Sequence, residues 1–317
     1  MAAKLDTSPH SIPDRSELTV PDSEIEAVIA RQARKVLDIR SPEWQQERLK
    51  EISTRKLGWR RLVRRWLSSG RNARQQGEVR SSYEQHWEHK DALTRYVVGL
   101  ENRTLCVEWR DKGMHLQPQG LRHVHLLYLM RAIEKTGAKS VLEVGFGNGN
   151  LLLTLAARFP QVALNGVELT ESGLAIAKDM QTSDVLPPEF IAASPAPLLD
   201  ATAHRRVSLT TGDARSLPFA DRSIDLVYTR LALEQMEAIR HKALSEVTRV
   251  AARTVVLIEP WRDFNSKEPA RSYIHRQGYF AARVKDIEKY GFKVVLASED
   301  IPQKVQFNAG PVIAFRT

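Results

Sequence analysis

Short apolar runs alternate with helix-like segments from residue 140 to the end of the chain. The run Val141, Leu142 and Val144 is typical of a strand buried on both faces, and residues 151–158 have helical spacing. Strands that alternate with helices indicate an α/β fold with a doubly wound, mostly parallel sheet. The apolar runs predict strands at 140–144, 162–168, 206–210, 224–229, 254–258, 292–298 and about 305–315, and a helix near 281–290.

The first part of the chain has a different pattern. Residues 1–22 are rich in Ser, Pro and Asp without an apolar period, so we expect a disordered tail there. Residues 23–118 are expected to form a helical extension or lid on a main domain over 119–317. The proline-rich stretch 181–203 is expected to be an inserted loop of that domain. Apolar spacing predicts helices over 23–38, 42–68, 80–98 and 119–135, and a hairpin over 104–117 around Lys112-Gly113.

The charge of the chain is concentrated in one segment. Residues 48–80 hold eleven Lys or Arg and two acids, which accounts for the whole net charge of +9. A nucleic-acid enzyme more often carries its basic residues around the active cleft, so no nucleic-acid partner is expected. The single cysteine, Cys106, excludes an internal disulfide, and no secretory segment or apolar run of roughly 20 residues is present. We therefore expect a cytoplasmic protein.

Residues 57–67 inside this basic segment form an amphipathic pattern. Apolar residues and tryptophans recur at helical spacing, and four arginines fill the opposite side. Such a helix could bind an anionic membrane surface, which would place the protein at the inner face of a membrane. It could also bind an acidic partner or anionic substrate, or pack its apolar stripe on the domain or on a second subunit. The pattern consists of Trp59, Leu62, Val63, Trp66 and Leu67 against Arg60, Arg61, Arg64 and Arg65.

A glycine-rich segment follows the strand predicted at 140–144. Gly145, Gly147 and Gly149 let the backbone turn tightly and approach a ligand at the start of a helix. A dinucleotide site would place its third glycine at position 150, which is Asn150. Glu143 beside the loop would repel a pyrophosphate and attract an ammonium group. S-adenosylmethionine (SAM) carries an α-ammonium group and no phosphate, so the segment favours SAM.

Two further acids stand at the ends of neighbouring predicted strands. Glu168 comes nineteen residues after Gly149, where a carboxylate can accept hydrogen bonds from both ribose hydroxyls. Asp213 follows the next strand and could accept a hydrogen bond from the adenine amine. In a doubly wound sheet these carboxyl ends meet in one crevice, so the three acids are expected to surround one cofactor.

The motifs Leu-Glu143-Val-Gly145-Phe-Gly147-Asn-Gly149, Gly166-Val-Glu168 and 212–227 resemble the class I SAM-dependent methyltransferases, in the ubiquinone and menaquinone biosynthesis branch. The resemblance implies a Rossmann-like sheet of six parallel strands and one antiparallel strand. It places Glu143 near the methionine amine, Glu168 at the ribose and Asp213 with the Ala214 backbone at adenine. It departs from the family at Glu234-Gln235 and at 251–253. The implied cofactor set is Glu143, Gly145, Phe146, Gly147, Gly149, Glu168, Leu169, Asp213, Ala214, Thr229 and Arg230.

Candidate groups for chemistry and acceptor binding follow the fourth and fifth predicted strands. Glu259 and His275 are the candidate catalytic groups, although Glu259 could instead brace a loop and His275 could lie on a solvated helix. No metal site is expected, because His123 and His125 are two apart on a helix and face different ways. The candidate acceptor-binding residues are Arg230, Glu234, Gln235, Trp261, Arg262, Tyr273 and Tyr279, with Tyr83 and Trp87 from the lid, whose aromatics could instead only pack on the sheet.

The sequence therefore predicts a SAM-dependent methyltransferase for a small-molecule, lipid or saccharide acceptor, with O-methylation preferred over N- or C-methylation. One alternative is a protein or nucleic-acid methyltransferase, but no Asn/Asp-Pro-Pro-Tyr type motif supports it. Another is a catalytically silent SAM-binding scaffold that recruits partners through the basic segment.

Overall fold

A computed structural model of the chain describes residues 12–54, 76–88, 104–187, 190–191 and 194–317. Its helices are α1 (Arg15–Leu18), α2 (Asp22–Gln32), α3 (Pro42–Thr54), α4 (Gln76–Glu88), α5 (Pro118–Thr136), α6 (Asn150–Arg158), α7 (Glu171–Thr182), α8 (Arg240–Val250) and α9 (Ala270–Gln277). Its strands are β1 (Ala33–Asp38), β2 (Leu105–Trp109), β3 (Lys112–Leu116), β4 (Ser140–Val144), β5 (Ala163–Glu168), β6 (Ser208–Thr211), β7 (Ile224–Arg230), β8 (Ala251–Glu259), β9 (Phe292–Ala297), β10 (Gln303–Lys304) and β11 (Gly310–Arg316).

The centre of the fold is a seven-stranded sheet in the order β6-β5-β4-β7-β8-β11-β9. Strands β4 to β8 pair in parallel, and β11 runs antiparallel between β8 and β9. The chain order reverses between β4 and β7, which is where ligands bind in open α/β sheets. The prediction of a doubly wound, mostly parallel sheet is confirmed, and each predicted strand lies within a few residues of an observed one.

Both faces of the sheet are covered, which explains why its strands are continuous apolar runs. Alternate residues of β4 point to opposite faces, so Val141 joins one core cluster and Leu142 joins the other. Helices α5, α6 and α7 cover the first face, while α8 and the short 3₁₀ segment Val284–Tyr290 cover the second. The helix predicted near 281–290 is therefore this 3₁₀ segment.

The N-terminal extension is not purely helical. Strands β1, β3, β2 and β10 form a four-stranded antiparallel sheet, so the helix predicted over 23–38 ends at Gln32 and continues as a strand. The segment is a strand because it pairs with β3. The exposure of its side chains alternates along the strand, as in an antiparallel sheet with one face in solvent. The predicted hairpin at 104–117 is confirmed, but its turn lies at Arg110, in the left-handed region at φ 55°, rather than at Lys112-Gly113.

The structure corrects the disordered tail for its described part, residues 12–22. Asp14 caps α1 by accepting a hydrogen bond from the backbone of Glu17, and Glu17 reciprocates with the backbone of Asp14. Leu18 and Val20 are buried in the main core, where α1 packs against α5. Buried apolar side chains thus hold residues 12–22 against the core, although the composition of this segment is mostly polar.

Several predictions fall on segments outside the described residues. They are the continuation of the predicted helices over 55–68 and 89–98, and the basic segment 57–67. Part of the inserted loop is described, and there Leu186 and Phe190 are buried against the first core cluster. None of the helices in the described parts of the chain is both long enough and apolar enough to cross a membrane.

Candidate active site

A cleft of about 640 Å³ opens at the carboxyl ends of β4, β5 and β7. Gly145 and Gly147 form one wall, and Glu168, Leu169 and Thr170 form the next. Residues 212 and 214, at the end of β6, and the segment 231–236, after β7, complete the floor.

The glycine loop adopts the backbone that its sequence predicts. Gly145, Gly147 and Gly149 have φ values of 80°, 59° and 76°, a region that side chains with a Cβ rarely adopt. A Cβ on Gly145 would lie 2.6 Å from the Cβ of Ala232, so the loop can approach the segment after β7 only without a side chain. Gly149 caps α6, which directs the amino end of that helix toward the cleft.

Glu168 ties the end of β5 to the glycine loop. Its Oε2 accepts a hydrogen bond of 2.8 Å from the backbone of Gly147, and its Oε1 accepts one of 2.7 Å from the hydroxyl of Thr170. The carboxylate lines the cleft and has further lone pairs for a ligand. Leu169, the next residue, also lines the cleft, whereas Phe146 packs behind the loop against Gly166.

Asp213 stands at the rim of the cleft between two lining residues, Gly212 and Ala214. Its carboxylate is paired with Arg215, whose Nη2 lies 2.7 Å from Oδ2. Burial alone would raise the pKa of Asp213, but the hydrogen bonds from Arg215 hold it below its usual value. Asp213 therefore stays ionised and presents a fixed acceptor at this end of the cleft.

Glu143 lies beneath the glycine loop rather than on the cleft surface. It is 3% exposed, and its carboxylate accepts a hydrogen bond of 2.7 Å from the hydroxyl of Tyr228. Burial raises the pKa of Glu143 to about 8, against the opposing effects of Tyr228 and of the positive charge of Arg230. A cation that enters this end of the cleft would favour the ionised form of Glu143.

Thr229 and Arg230 point to opposite faces of β7. Thr229 is fully buried and does not reach the cleft surface. Arg230 lies on the same face as Tyr228, and its Nε donates a hydrogen bond of 3.1 Å to Nδ1 of His125. Sequence patterns did not connect His125 with this site, because it lies on α5, 105 residues earlier in the chain.

Glu259 anchors the segment that follows β7. Its Oε1 accepts hydrogen bonds of 3.1 Å from the backbone N–H groups of Ala232 and Leu233, and its Oε2 accepts one from Glu234. The side chain is fully buried, and this burial, with the nearby charge of Glu234, raises its pKa to about 8. Glu259 has no exposed atom with which to meet a substrate, so we reassign it from candidate catalytic group to anchor of this segment.

Three other candidates lie away from the cleft. Trp261 is fully buried and packs edge-on against Phe280 at 5.2 Å, so it belongs to the core. His275 is exposed on α9, and Arg262 is exposed at the 3₁₀ turn after β8. None of the three side chains lines the cleft, so the expected roles of His275 in catalysis and of Trp261 and Arg262 in acceptor binding are not supported by their positions.

An aromatic cluster lies beside the cleft. Tyr273 stacks on Phe307 with ring centroids 5.5 Å apart, and Tyr279 meets both rings edge-on. Leu231 packs against this cluster and also lines the cleft, so it joins the two regions. Phe307 was not predicted, because it comes from a loop between β10 and β11 far along the chain.

The predicted pair Glu234-Gln235 forms part of the segment after β7. Both side chains are buried, and Nε2 of Gln235 donates a hydrogen bond of 2.9 Å to Glu234. Gln235 also lines the cleft, so it is the member of the pair that can meet a ligand.

Helix α4 covers the cleft from the N-terminal extension. Val79 and Tyr83 line the cleft, and Glu84 caps the amino end of α7 by accepting hydrogen bonds from the backbone of Glu171 and of Ser172 at 3.0 and 3.1 Å. Tyr83 therefore lies at the cleft, as a lid residue would, whereas the side chain of Trp87 lies outside the described residues. The cap by Glu84 was not predicted, because no local pattern joins positions 84 and 172.

The residues around the cleft fit SAM. Gly145 and Gly147 line the cleft and have no side chains, which allows a ligand to approach the loop backbone closely. Glu168 offers carboxylate oxygens at the middle of the cleft, and the Gly212 to Ala214 backbone lies at one end. A buried acid, Glu143, lies under the other end, so the cleft has the polarity that a ribose, an adenine and an ammonium group require.

Comparisons with known proteins agree with this arrangement. Residues 142–258 match the protein-family model for a methyltransferase domain. A search of curated proteins finds no match. Among solved structures, the [4+2]-cyclase SpnF is 15% identical, with 77% of this chain and 97% of that chain covered and a TM-score of 0.53. The SAM-bound magnesium protoporphyrin IX methyltransferase of Synechocystis PCC 6803 is 13% identical, with coverages of 75% and 97% and a TM-score of 0.48.

The strand order and the position of the cleft match the class I, Rossmann-like methyltransferase fold. The match of residues 142–258 to the methyltransferase domain model supports SAM-dependent methyl transfer as the activity of this part of the chain. The likeness to SpnF supports the fold alone, since a fold can host unrelated reactions.

Proposed function

We propose that the chain transfers the methyl group of SAM to a small-molecule, lipid or saccharide acceptor, with an oxygen nucleophile preferred. This proposal rests on the surroundings of the cleft. Tyr83 of α4 covers one side of the cleft, and Leu231 joins the cleft to the aromatic cluster of Tyr273, Tyr279 and Phe307. Such a covered, largely apolar space suits a compact acceptor better than a folded macromolecule.

SAM supplies a methyl group on a sulfonium, which a nucleophile attacks in line with the carbon–sulfur bond. The chain contributes mainly position, because holding two reactants in a productive geometry lowers the barrier substantially. Glu168 and the glycine loop orient the cofactor, the segment held by Glu259 forms the floor, and Val79 with Tyr83 exclude water.

Transfer from radiolabelled SAM into a fractionated extract tests the proposal. We expect label in the small-molecule or lipid fraction, and a loss of that label in the Glu168→Ala variant. Label that appears only in acid-precipitable RNA or protein would contradict the proposed acceptor class. Binding of SAM without transfer to any fraction would instead support a silent scaffold.

The segment 57–67 lies outside the described residues, and its docking on an anionic membrane surface stays a proposal. Its support is the sequence pattern of tryptophans opposite arginines. Flotation with anionic liposomes tests it. Co-flotation that is lost when Arg60, Arg61, Arg64 and Arg65 are changed to Glu is expected, and no co-flotation of the unchanged chain would contradict it.

A further inference from the structure

A second cavity, of about 1000 Å³, lies at the seam between the main sheet and the small antiparallel sheet. Its walls come from Arg48 of α3, from residues 108–110 of the hairpin β2–β3, and from the segments 263–270 and 299–308. The first of these segments follows β8, and the second joins β9 to β11. Because β7 and β8 are parallel and β11 begins opposite the end of β8, this cavity and the cofactor cleft open at the same edge of the main sheet.

The charges on the walls of the second cavity nearly cancel. Five acids and four bases line it, and several of them are already paired with one another. Nε of Arg48 lies 3.0 Å from Oε1 of Glu108, and Nη2 of Arg110 lies 3.1 Å from Oδ2 of Asp300. An anion would compete with these carboxylates for the arginines, and a cation would compete with the arginines for the carboxylates. The walls therefore favour a neutral ligand.

A neutral ligand with several hydroxyl groups matches the hydrogen-bonding groups of these walls. A hydroxyl both donates and accepts hydrogen bonds, and a carboxylate that is paired with an arginine keeps lone pairs for further donors. Phe264 adds a partly exposed aromatic ring to the wall, on which the C–H face of a sugar ring can pack. Paired charges beside an aromatic ring thus favour a saccharide.

The segment before β11 is held firmly on both sides. Nδ2 of Asn308 donates a hydrogen bond of 3.0 Å to the backbone oxygen of Phe264, and Nδ2 of Asn265 donates one of 2.8 Å to the backbone oxygen of Asn308. From the other side, Nε2 of Gln306 donates a hydrogen bond of 2.8 Å to Oε1 of Glu51 on α3. A wall that is fixed in advance reduces the cost of ordering the site when a ligand binds.

The aromatic cluster of Tyr273, Tyr279 and Phe307 connects the second cavity with the cofactor cleft. Ala270 and Lys304 line the second cavity, Ala270 packs against the cluster, and Nζ of Lys304 lies 4.7 Å from the centre of the Phe307 ring. Leu231 packs against the same cluster and lines the cofactor cleft. A ligand that occupies the second cavity and reaches the cofactor must therefore extend past these rings, which requires more than one sugar ring.

We propose that the acceptor is an oligosaccharide, free or as part of a larger molecule, that places one sugar ring in the second cavity and a hydroxyl of another ring at the cofactor cleft. The hydroxyl oxygen bonds to the methyl carbon as the carbon–sulfur bond breaks. The electron pair of that bond stays on the sulfur of S-adenosylhomocysteine, and the hydroxyl proton passes to water. This inference rests on the proposed function, because it requires methyl transfer from SAM in the cofactor cleft.

The sugar content of the labelled product tests the acceptor class. The product formed from radiolabelled SAM and an extract is separated by size and then hydrolysed in acid, which breaks glycosidic bonds and leaves methyl ethers intact. We expect the label in a species larger than a monosaccharide before hydrolysis, and in an O-methylated monosaccharide afterwards.

Matched variants test the role of the second cavity. Lys267 and Glu299 have exposed side chains on its walls, so Lys267→Ala/Glu299→Ala removes one base and one acid without disturbing the core. At limiting extract we expect its rate to fall by about 10-fold, as loss of hydrogen bonds to charged groups implies. Saturating extract should restore the rate, and binding of S-adenosylhomocysteine should not change. The control Lys285→Ala/Glu288→Ala makes the same charge change at exposed positions outside the cavity and should behave like the unchanged chain.

The outcomes distinguish this inference from the function on which it rests. Label on a product without sugar, or on a free monosaccharide before hydrolysis, would overturn the oligosaccharide acceptor. Equal rates of the cavity variant and its control at limiting extract would overturn the role of the second cavity. If the unchanged chain transfers no label to a small-molecule, lipid or saccharide fraction, the proposed function itself is overturned.

Discussion

The carboxylate of Glu168 accepts a 2.8 Å hydrogen bond from the backbone N–H of Gly147, so the end of β5 holds the glycine loop directly. The same carboxylate accepts a hydrogen bond from Thr170, at the start of the turn into α7. The acid that a ribose would meet is therefore already fixed before a ligand binds. Such preorganisation reduces the cost of ordering the site on binding.

Replacing Glu168 with Ala should weaken the binding of S-adenosylhomocysteine. The change removes the carboxylate from the cleft and releases the N–H of Gly147, and lost hydrogen bonds to a charged group are each worth about 1.5–3 kcal/mol, or roughly 10- to 100-fold. Calorimetry measures the effect. Glu171→Gln is the control, because that neighbouring side chain is exposed and should leave the affinity unchanged. Equal affinities of both variants for S-adenosylhomocysteine would show that Glu168 does not contribute to cofactor binding.

Replacing Glu84 with Ala should loosen α4 over the cleft. Burial would raise the pKa of Glu84, but hydrogen bonds from Ser172 and from the amides of α7 hold it below its usual value. Loss of such a helix cap costs about 0.5–2 kcal/mol. Hydrogen exchange over 76–88 should therefore accelerate and cofactor affinity should fall, whereas Gln85→Ala, at an exposed position on the same helix, should change neither. Unchanged exchange in Glu84→Ala would show that the cap does not hold the helix.

Replacing Glu259 with Ala should lower the stability of the protein rather than act directly on the catalytic step. Three backbone N–H groups of the segment after β7 would lose their acceptor, and each unsatisfied buried donor costs about 1–3 kcal/mol. Thermal unfolding should show a clearly lower Tm, and Glu259→Gln, which keeps one acceptor oxygen, should fall between. A folded Glu259→Ala variant with an unchanged Tm and no turnover would instead indicate a direct catalytic role.

Ionisation of Glu143 should make stability depend on pH. Burial raises its pKa from 4.5 to about 8 in the folded protein. As the pH rises, the carboxyl group therefore loses its proton at a lower pH in the unfolded chain than in the folded protein. Its contribution to stability is therefore full below pH 4.5 and is lost as the pH rises toward 8. Glu143→Gln keeps an acceptor for Tyr228 without the ionisation, so its Tm relative to the unchanged chain should rise between pH 5 and about 8. A Tm difference that does not vary with pH would contradict this assignment.

Local pattern predicts the sheet and the positions of the acids at the strand ends. Strands such as β4 are buried on both faces, so they read as apolar runs, and the glycines and Glu168 stand at fixed distances from strand ends. The short apolar spacing of segment Ala33–Asp38 fits both a helix and a strand, and only pairing with β3 decides between them.

The contacts that complete the site could not be predicted, because they join distant parts of the chain. Glu84 meets Ser172 across 88 residues, and Arg230 meets His125 across 105. Glu259 is a polar residue at a strand end, and that position alone does not say whether its side chain points to a ligand or to a neighbouring backbone. Its three N–H partners decide this.

Binding of S-adenosylhomocysteine tests the central claim most directly, and isothermal titration of the full chain measures it. We expect saturable binding with one site per chain, a large loss in Glu168→Ala, and no binding of NAD at the same concentration. Absence of binding at millimolar S-adenosylhomocysteine, or equal binding by the Glu168→Ala variant, would contradict the assignment of this cleft to SAM.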